Sequence, residues 1–113
     1  MKTVTLEVAS AGDVKRRALA AFRGRRQGER ISFATPELLW KVLMPKRWDL
    51  LKSMVGQGPM TIRAAARRLE RDVKAVHGDV RALLDAGLLD KTADGKIVFP
   101  FDAVHVDFTL RAA

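Results

Sequence analysis

Two apolar stripes, the second beginning four residues after the first ends, leave the segment Thr61 to Gly87 few ways to fold. The first, Ile62, Ala65, Ala66 and Leu69, follows the i, i+3, i+4, i+7 spacing of a helix with one buried side. Thr61 precedes it as an N-cap, its hydroxyl able to accept from a backbone N–H one turn on. The second stripe is Val73, Val76, Val80, Leu83 and Leu84. A turn of about three or four residues fits between them, the spacing of a helix-turn-helix. Gly87 follows where a left-handed C-cap residue would sit.

With those valines turned inward, the outer face of the second helix carries Arg71, Lys74, His77, Gly78 and Arg81. Cationic donors, an imidazole and a residue without a side chain suit a groove lined with phosphates and base acceptors, Gly78 allowing a close approach. The same face is equally consistent, taken alone, with an ordinary solvated helix exterior.

The neighbouring charge bears on that choice. Against 13 acidic residues stand 21 lysines and arginines, a formal +8 on 113 residues. That excess points to nucleic acid, an anionic membrane surface or an acidic partner. A hydrophobic content of 48% is enough for one domain's core. No cysteine is present, which excludes disulfides, thiolate catalysis and cysteine-based metal sites. No apolar run reaches the roughly 18–20 residues of a membrane span, and no signal pattern opens the chain. The expectation is a soluble, cytoplasmic protein with no membrane partner.

Along the chain, Lys2 to Val8 alternates as a half-buried strand, which needs a partner that a second copy could supply. Ser10 and Asp13 resemble a capping box opening a helix to about Arg23, with Lys15, Arg16, Arg17, Arg23, Arg25 and Arg26 on its outer face and following loop. That cluster reads as a solvated face, a wider phosphate-contacting surface or a site for an acidic protein. Ile31 to Phe33 is a second strand. Thr35-Pro36-Glu37 signals a helix start, with Leu38, Leu39, Val42 and Leu43 as its buried side. Pro45 begins the next helix, striped by Trp48, Leu51, Met54 and Val55; Trp40 and Trp48 read as core anchors. Gly56 to Pro59 is a loop. Beyond Gly87, Asp94-Gly95 between apolar segments marks a hairpin in which both residues can take positive φ. Lys91 and Lys96 flank its tip. Ala103 to Leu110 alternates as a last strand, with Val104, Val106, Phe108 and Leu110 on one side.

Three helices followed by a hairpin with basic residues at its tip is the winged-helix order. The fold expected is α+β, mainly α: a winged helix-turn-helix at 35–100, an N-terminal strand and basic helix at 1–34 with a possible dimerising role, and a C-terminal strand at 101–113.

Pro45-Lys46-Arg47, the run from Arg71 to Val80, and Gly87-Leu88-Leu89 leading into Asp94-Gly95-Lys96 resemble the small winged-helix regulators of prokaryotes related to the MarR type. The resemblance covers roughly Ile31 to Leu110. It implies a homodimeric DNA-binding protein, a repressor of its own operon, often an antitoxin encoded beside a toxin. Asp72 to Leu84 would be the recognition helix and Asp90 to Ile97 the wing.

The expected function is sequence-specific binding of double-stranded DNA. Arg71, Lys74, His77, Gly78 and Arg81 would face bases, while Thr61, Arg63, Arg67, Arg68, Lys91 and Lys96 would meet phosphates. The alternative is an antitoxin-type interaction protein whose main role is neutralising a protein partner, acidic or toxic. His77 and His105 lack the spacing that puts two imidazoles on one helical face, so neither a metal nor a cofactor is expected, and His105 reads as a surface histidine. No nucleophile motif or phosphate loop occurs, which argues against an enzyme.

Overall fold

A computed structural model describes residues 1–8, 29–107 and 109. The expected helix from Ser10 to Arg23, the basic cluster from Lys15 to Arg26, and Phe108 and Leu110 lie outside the described residues. The chain is α+β, with four helices and two small sheets among the described residues.

Strand β1 (Thr3–Val8) is the centre of a three-stranded sheet ordered β2-β1-β5, with β2 at Glu29–Phe33 and β5 at Ala103–Asp107. Both neighbours run parallel to it, in registers Val4↔Glu29 and Thr3↔Ala103. The partners of the N-terminal strand therefore come from its own chain, not from a second copy. Parallel neighbours demand long crossovers, and the whole helical unit fits between β2 and β5. Val4 and Leu6 are fully buried on the side facing the helices. On the other side Glu7, also buried, accepts from Arg30 Nη1 (2.9 Å) and from the Ser32 hydroxyl (3.0 Å).

Helix α1 (Pro36–Val42) starts as its sequence dictates: the Leu38 N–H donates to the Thr35 hydroxyl, and Pro36 and Glu37 occupy the first turn. Leu39 and Leu43 enter the core, but Leu38 points outward, contrary to the expected stripe. Helix α2 (Pro45–Met54) buries Leu50, Leu51 and Met54. Its buried face is thus turned towards Leu50, leaving Val55 outside and Trp48 36% exposed. Trp40 is 52% exposed, so neither indole is the core anchor expected of it. Amphipathic spacing locates a stripe, but the neighbouring element decides its edge.

Helix α3 (Ile62–Leu69) is capped by the Thr61 hydroxyl, which accepts from the Ala64 N–H at 3.0 Å, and it buries Ala65 and Ala66. Glu70 ends it in the left-handed region (φ 52°), where its N–H and that of Arg71 return to the last carbonyls. Asp72 then caps helix α4 (Val73–Asp85) by accepting from the Ala75 N–H. Val76, Val80 and Leu83 are buried, whereas Val73 is 41% exposed. Val73 sits in the first turn, at the margin of the buried arc, and does not point into the body as expected.

Gly87 takes φ +84° and closes α4: the Leu88 N–H reaches the Leu83 carbonyl at 2.9 Å. A two-stranded ribbon follows, β3 (Asp90–Lys91) antiparallel to β4 (Ile97–Val98). Only Gly95 at its tip has positive φ; Asp94 does not. The turn is longer than a two-residue hairpin, with the Thr92 N–H bonded to the Lys96 carbonyl and the Gly95 N–H to the Thr92 carbonyl. Ile97 also exchanges two backbone hydrogen bonds with Met60, of 2.9 and 2.8 Å, which ties the ribbon to the residues just before α3.

Candidate nucleic-acid interface

Helix α4 presents two opposed arcs. Val76, Asp79, Val80 and Leu83 are buried, and Lys74, His77, Gly78 and Arg81 are exposed on the opposite side. Residues three and four apart share a helix face, so these last four form one strip. Asp85 continues it and holds Arg81 loosely, Nε to Oδ1 3.7 Å, with both side chains in solvent. Gly78 has nothing within 4 Å of where a Cβ would stand, so a flat surface can approach the helix there.

The tie between Ile97 and Met60 sets the ribbon beside this strip. His77 and Arg81 of α4 and Lys91 and Gly95 of the ribbon together line a crevice of about 110 Å³ floored by Val80 and Ile97. Lys96 stands at the tip, 3.6 Å from Asp94. The Thr92 hydroxyl donates to the Asp94 carboxylate, which holds that carboxyl below its ordinary range, with Lys96 adding to the effect. Arg63 and Arg67 are exposed on α3. Arg68 is exposed but engaged, donating to the Ser53 carbonyl (3.3 Å) and to Gln57 Oε1 (3.1 Å) at the end of α2. Thr61 is exposed with its oxygen in use as the α3 cap.

Arg71 departs from the expected strip. Its side chain is 18% exposed, and Nη2 lies 2.8 Å from Asp79 Oδ2. Asp79 Oδ1 accepts from Arg47 Nε at 3.1 Å, and Arg47 Nη1 donates to the Lys41 carbonyl at 2.9 Å. One carboxylate thus binds two guanidiniums, one from α2 and one from the turn before α4. The Arg71 contact is ionic rather than a directed hydrogen bond, and Arg71 Nη1 and Asp79 Oδ2 are buried without a hydrogen-bond partner among the described residues. Arg71 therefore stands as a brace within the protein and does not lie on the exposed strip with Lys74, His77 and Arg81. A carboxylate placed between Val76, Val80 and Leu83 was the readable sign of this cluster, because an acid on a buried arc requires a cation.

No group of metal-ligating side chains occurs among the described residues, and none of their helices is long and apolar enough to cross a membrane. No curated protein and no solved structure matches the chain. The model of the family HVO_A0114 matches residues 42–106, from the end of α1 to β5 and more than half of the sequence. The chain belongs to the HVO_A0114 family.

Proposed function

We propose that the protein is a cytoplasmic, dimeric transcriptional regulator that binds double-stranded DNA through a winged helix-turn-helix, as the MarR-like resemblance implies. Helix α4 enters the major groove, and the ribbon lies along the neighbouring backbone as the wing. The observation that carries the reading is the continuous exposed strip of Lys74, His77, Gly78 and Arg81, bordered by Lys91, with Lys96 following Gly95 at the ribbon tip. Lys74, His77 and Arg81 read base edges, while Arg63, Arg67, Lys91 and Lys96 hold phosphates. Arg71 is left out of the base-reading set, and Arg68 joins the phosphate contacts only by releasing Ser53 and Gln57.

The direct test is a gel shift with duplex from upstream of the protein's own operon, titrated with salt. Expected is a preference for one pseudo-palindromic site and an affinity that falls linearly in log–log form as salt rises. Equal binding to any duplex and to heparin would end the reading.

A further inference from the structure

Strand β5 is an edge: it pairs with β1 on one side, and no described strand lies on the other. Beside it runs a mainly apolar groove of about 580 Å³ between α1, α2 and the strand, lined by Trp40, Leu43, Pro45, Trp48, Val104, His105 and Val106. It continues past Trp48 and Val104 into a second hollow of about 170 Å³ that includes Val55. Open strand edges and exposed indoles are both features that a soluble protein ordinarily covers.

We infer that a second copy of this chain covers them, with β5 pairing antiparallel to the β5 of its partner about a two-fold axis at His105. The sequence around that point is self-complementary. Val104 and Val106 flank His105 symmetrically, so the axis sets Val104 of each copy against Val106 of the other. Val104 and Val106 stand in register with Val4 and Leu6, whose side chains face the helices. Joining the strands makes one six-stranded sheet whose apolar face runs unbroken across the axis, with Trp40 and Trp48 of both copies over it.

Charge and area agree with this occupant. A chain of +8 resists its own copy except where cations are balanced. At the second hollow Lys52 is met by Asp49 at 3.4 Å, and Asp102 just before β5 and Asp107 at its end add acidic groups, while the exposed cations of α4 and the ribbon lie elsewhere. A stable interface covers about 800 Å² per partner, a little over half of it apolar. The open parts of the two indoles, 52% and 36% of each, supply on the order of 200 Å² of that, before the valines and the strand itself are counted. The contact stands on these features; its purpose, presenting two α4 helices to one duplex, rests on the DNA-binding reading above.

Sedimentation equilibrium of the full chain at micromolar concentration tests it. The expected mass is twice 12.5 kDa. Trp48→Lys should raise the dissociation constant by about thirtyfold or more, as the loss of a central interface aromatic does. His105→Lys and His105→Glu, each placing like charges side by side at the axis, should each weaken the dimer by roughly fivefold at low salt. An equimolar mixture of those two variants should restore association, which only a self-contact at position 105 produces. A wild-type monomer throughout, or a dimer indifferent to all three substitutions, would overturn the inference. If circular dichroism shows Trp48→Lys unfolded, the His105 pair decides alone. Adding duplex to the same samples separates the two readings. A dimer that ignores DNA keeps this inference and ends the DNA-binding reading, and a monomer that binds a specific duplex ends this inference while keeping DNA binding and losing only its dimeric form.

Discussion

Asp79 holds Arg47 through Oδ1 at 3.1 Å and Arg71 through Oδ2 at 2.8 Å, so a single carboxylate joins α2, α4 and the turn before α4. Side-chain exposures of 12% for Asp79 and 19% and 18% for the arginines mean that water does little to screen either pair. Asp79→Ala leaves two buried cations facing each other and should lower stability by about 3–5 kcal/mol. Urea denaturation measures this. The exposed Arg81–Asp85 pair at 3.7 Å supplies the contrast: Asp85→Ala should change stability by no more than about 0.5 kcal/mol.

Gly78 and Gly87 should respond oppositely to substitution. Gly87 has φ +84° with Ile31 Cδ1 an unstrained 3.8 Å from a built Cβ, so Gly87→Ala meets a backbone penalty of about 1–2 kcal/mol. Gly78 lies in regular helix with open space around it. Gly78→Gln should stabilise the fold by about 0.5–1 kcal/mol while weakening duplex binding, because the added side chain holds α4 off the groove. Thermal melts and gel shifts on one preparation report both signs. Unchanged affinity would argue against a close approach at this position.

Arg81→Ala should relax discrimination at one base position per half-site by about 1–3 kcal/mol. Lys96→Ala should weaken all duplexes alike and reduce the slope of log affinity against log salt by about 1. Equal loss of specificity from both would contradict the division between α4 and the ribbon. Arg71→Ala should act through the fold, lowering stability before it alters sequence preference.

Acid should loosen the ribbon tip in a defined direction. Asp94 titrates below its ordinary range because the Thr92 hydroxyl and then Lys96 favour its charged form. A carboxylate with a lowered folded value adds stability that is complete above its unfolded value and fades as pH falls through the folded one. The tip should therefore be insensitive to pH near neutrality and loosen only in acid. Amide shifts of Thr92 and Lys96 follow this, and Thr92→Val should move the transition up towards the ordinary carboxylate range.

The local signals were legible in the sequence. Thr35, Thr61 and Gly87 act where their chemistry places them, since a cap or a left-handed terminus is decided within a few residues. The exposed strip from Lys74 to Arg81 followed from the positions of Val76 and Val80 alone. What eluded the sequence depends on distant partners. Arg71 turns inward because of Asp79, and Trp48 and Trp40 remain outside because the arc chosen by α2 centres on Leu50 and Leu51. Alternation marked β1 and β5 as strands but carried no sign that they pair with each other.

That pairing bears on how the molecule is made. Lys2 and Asp102 exchange hydrogen bonds across a hundred residues, and β1 waits for β5 to complete its sheet. On the ribosome, the described helices emerge while the first strand is still without its last neighbour, and that gap closes only after Asp107 leaves the exit tunnel. Trimming the first eight residues would remove the middle of the sheet rather than an appendage. A truncation meant to isolate the helices must therefore discard both ends together.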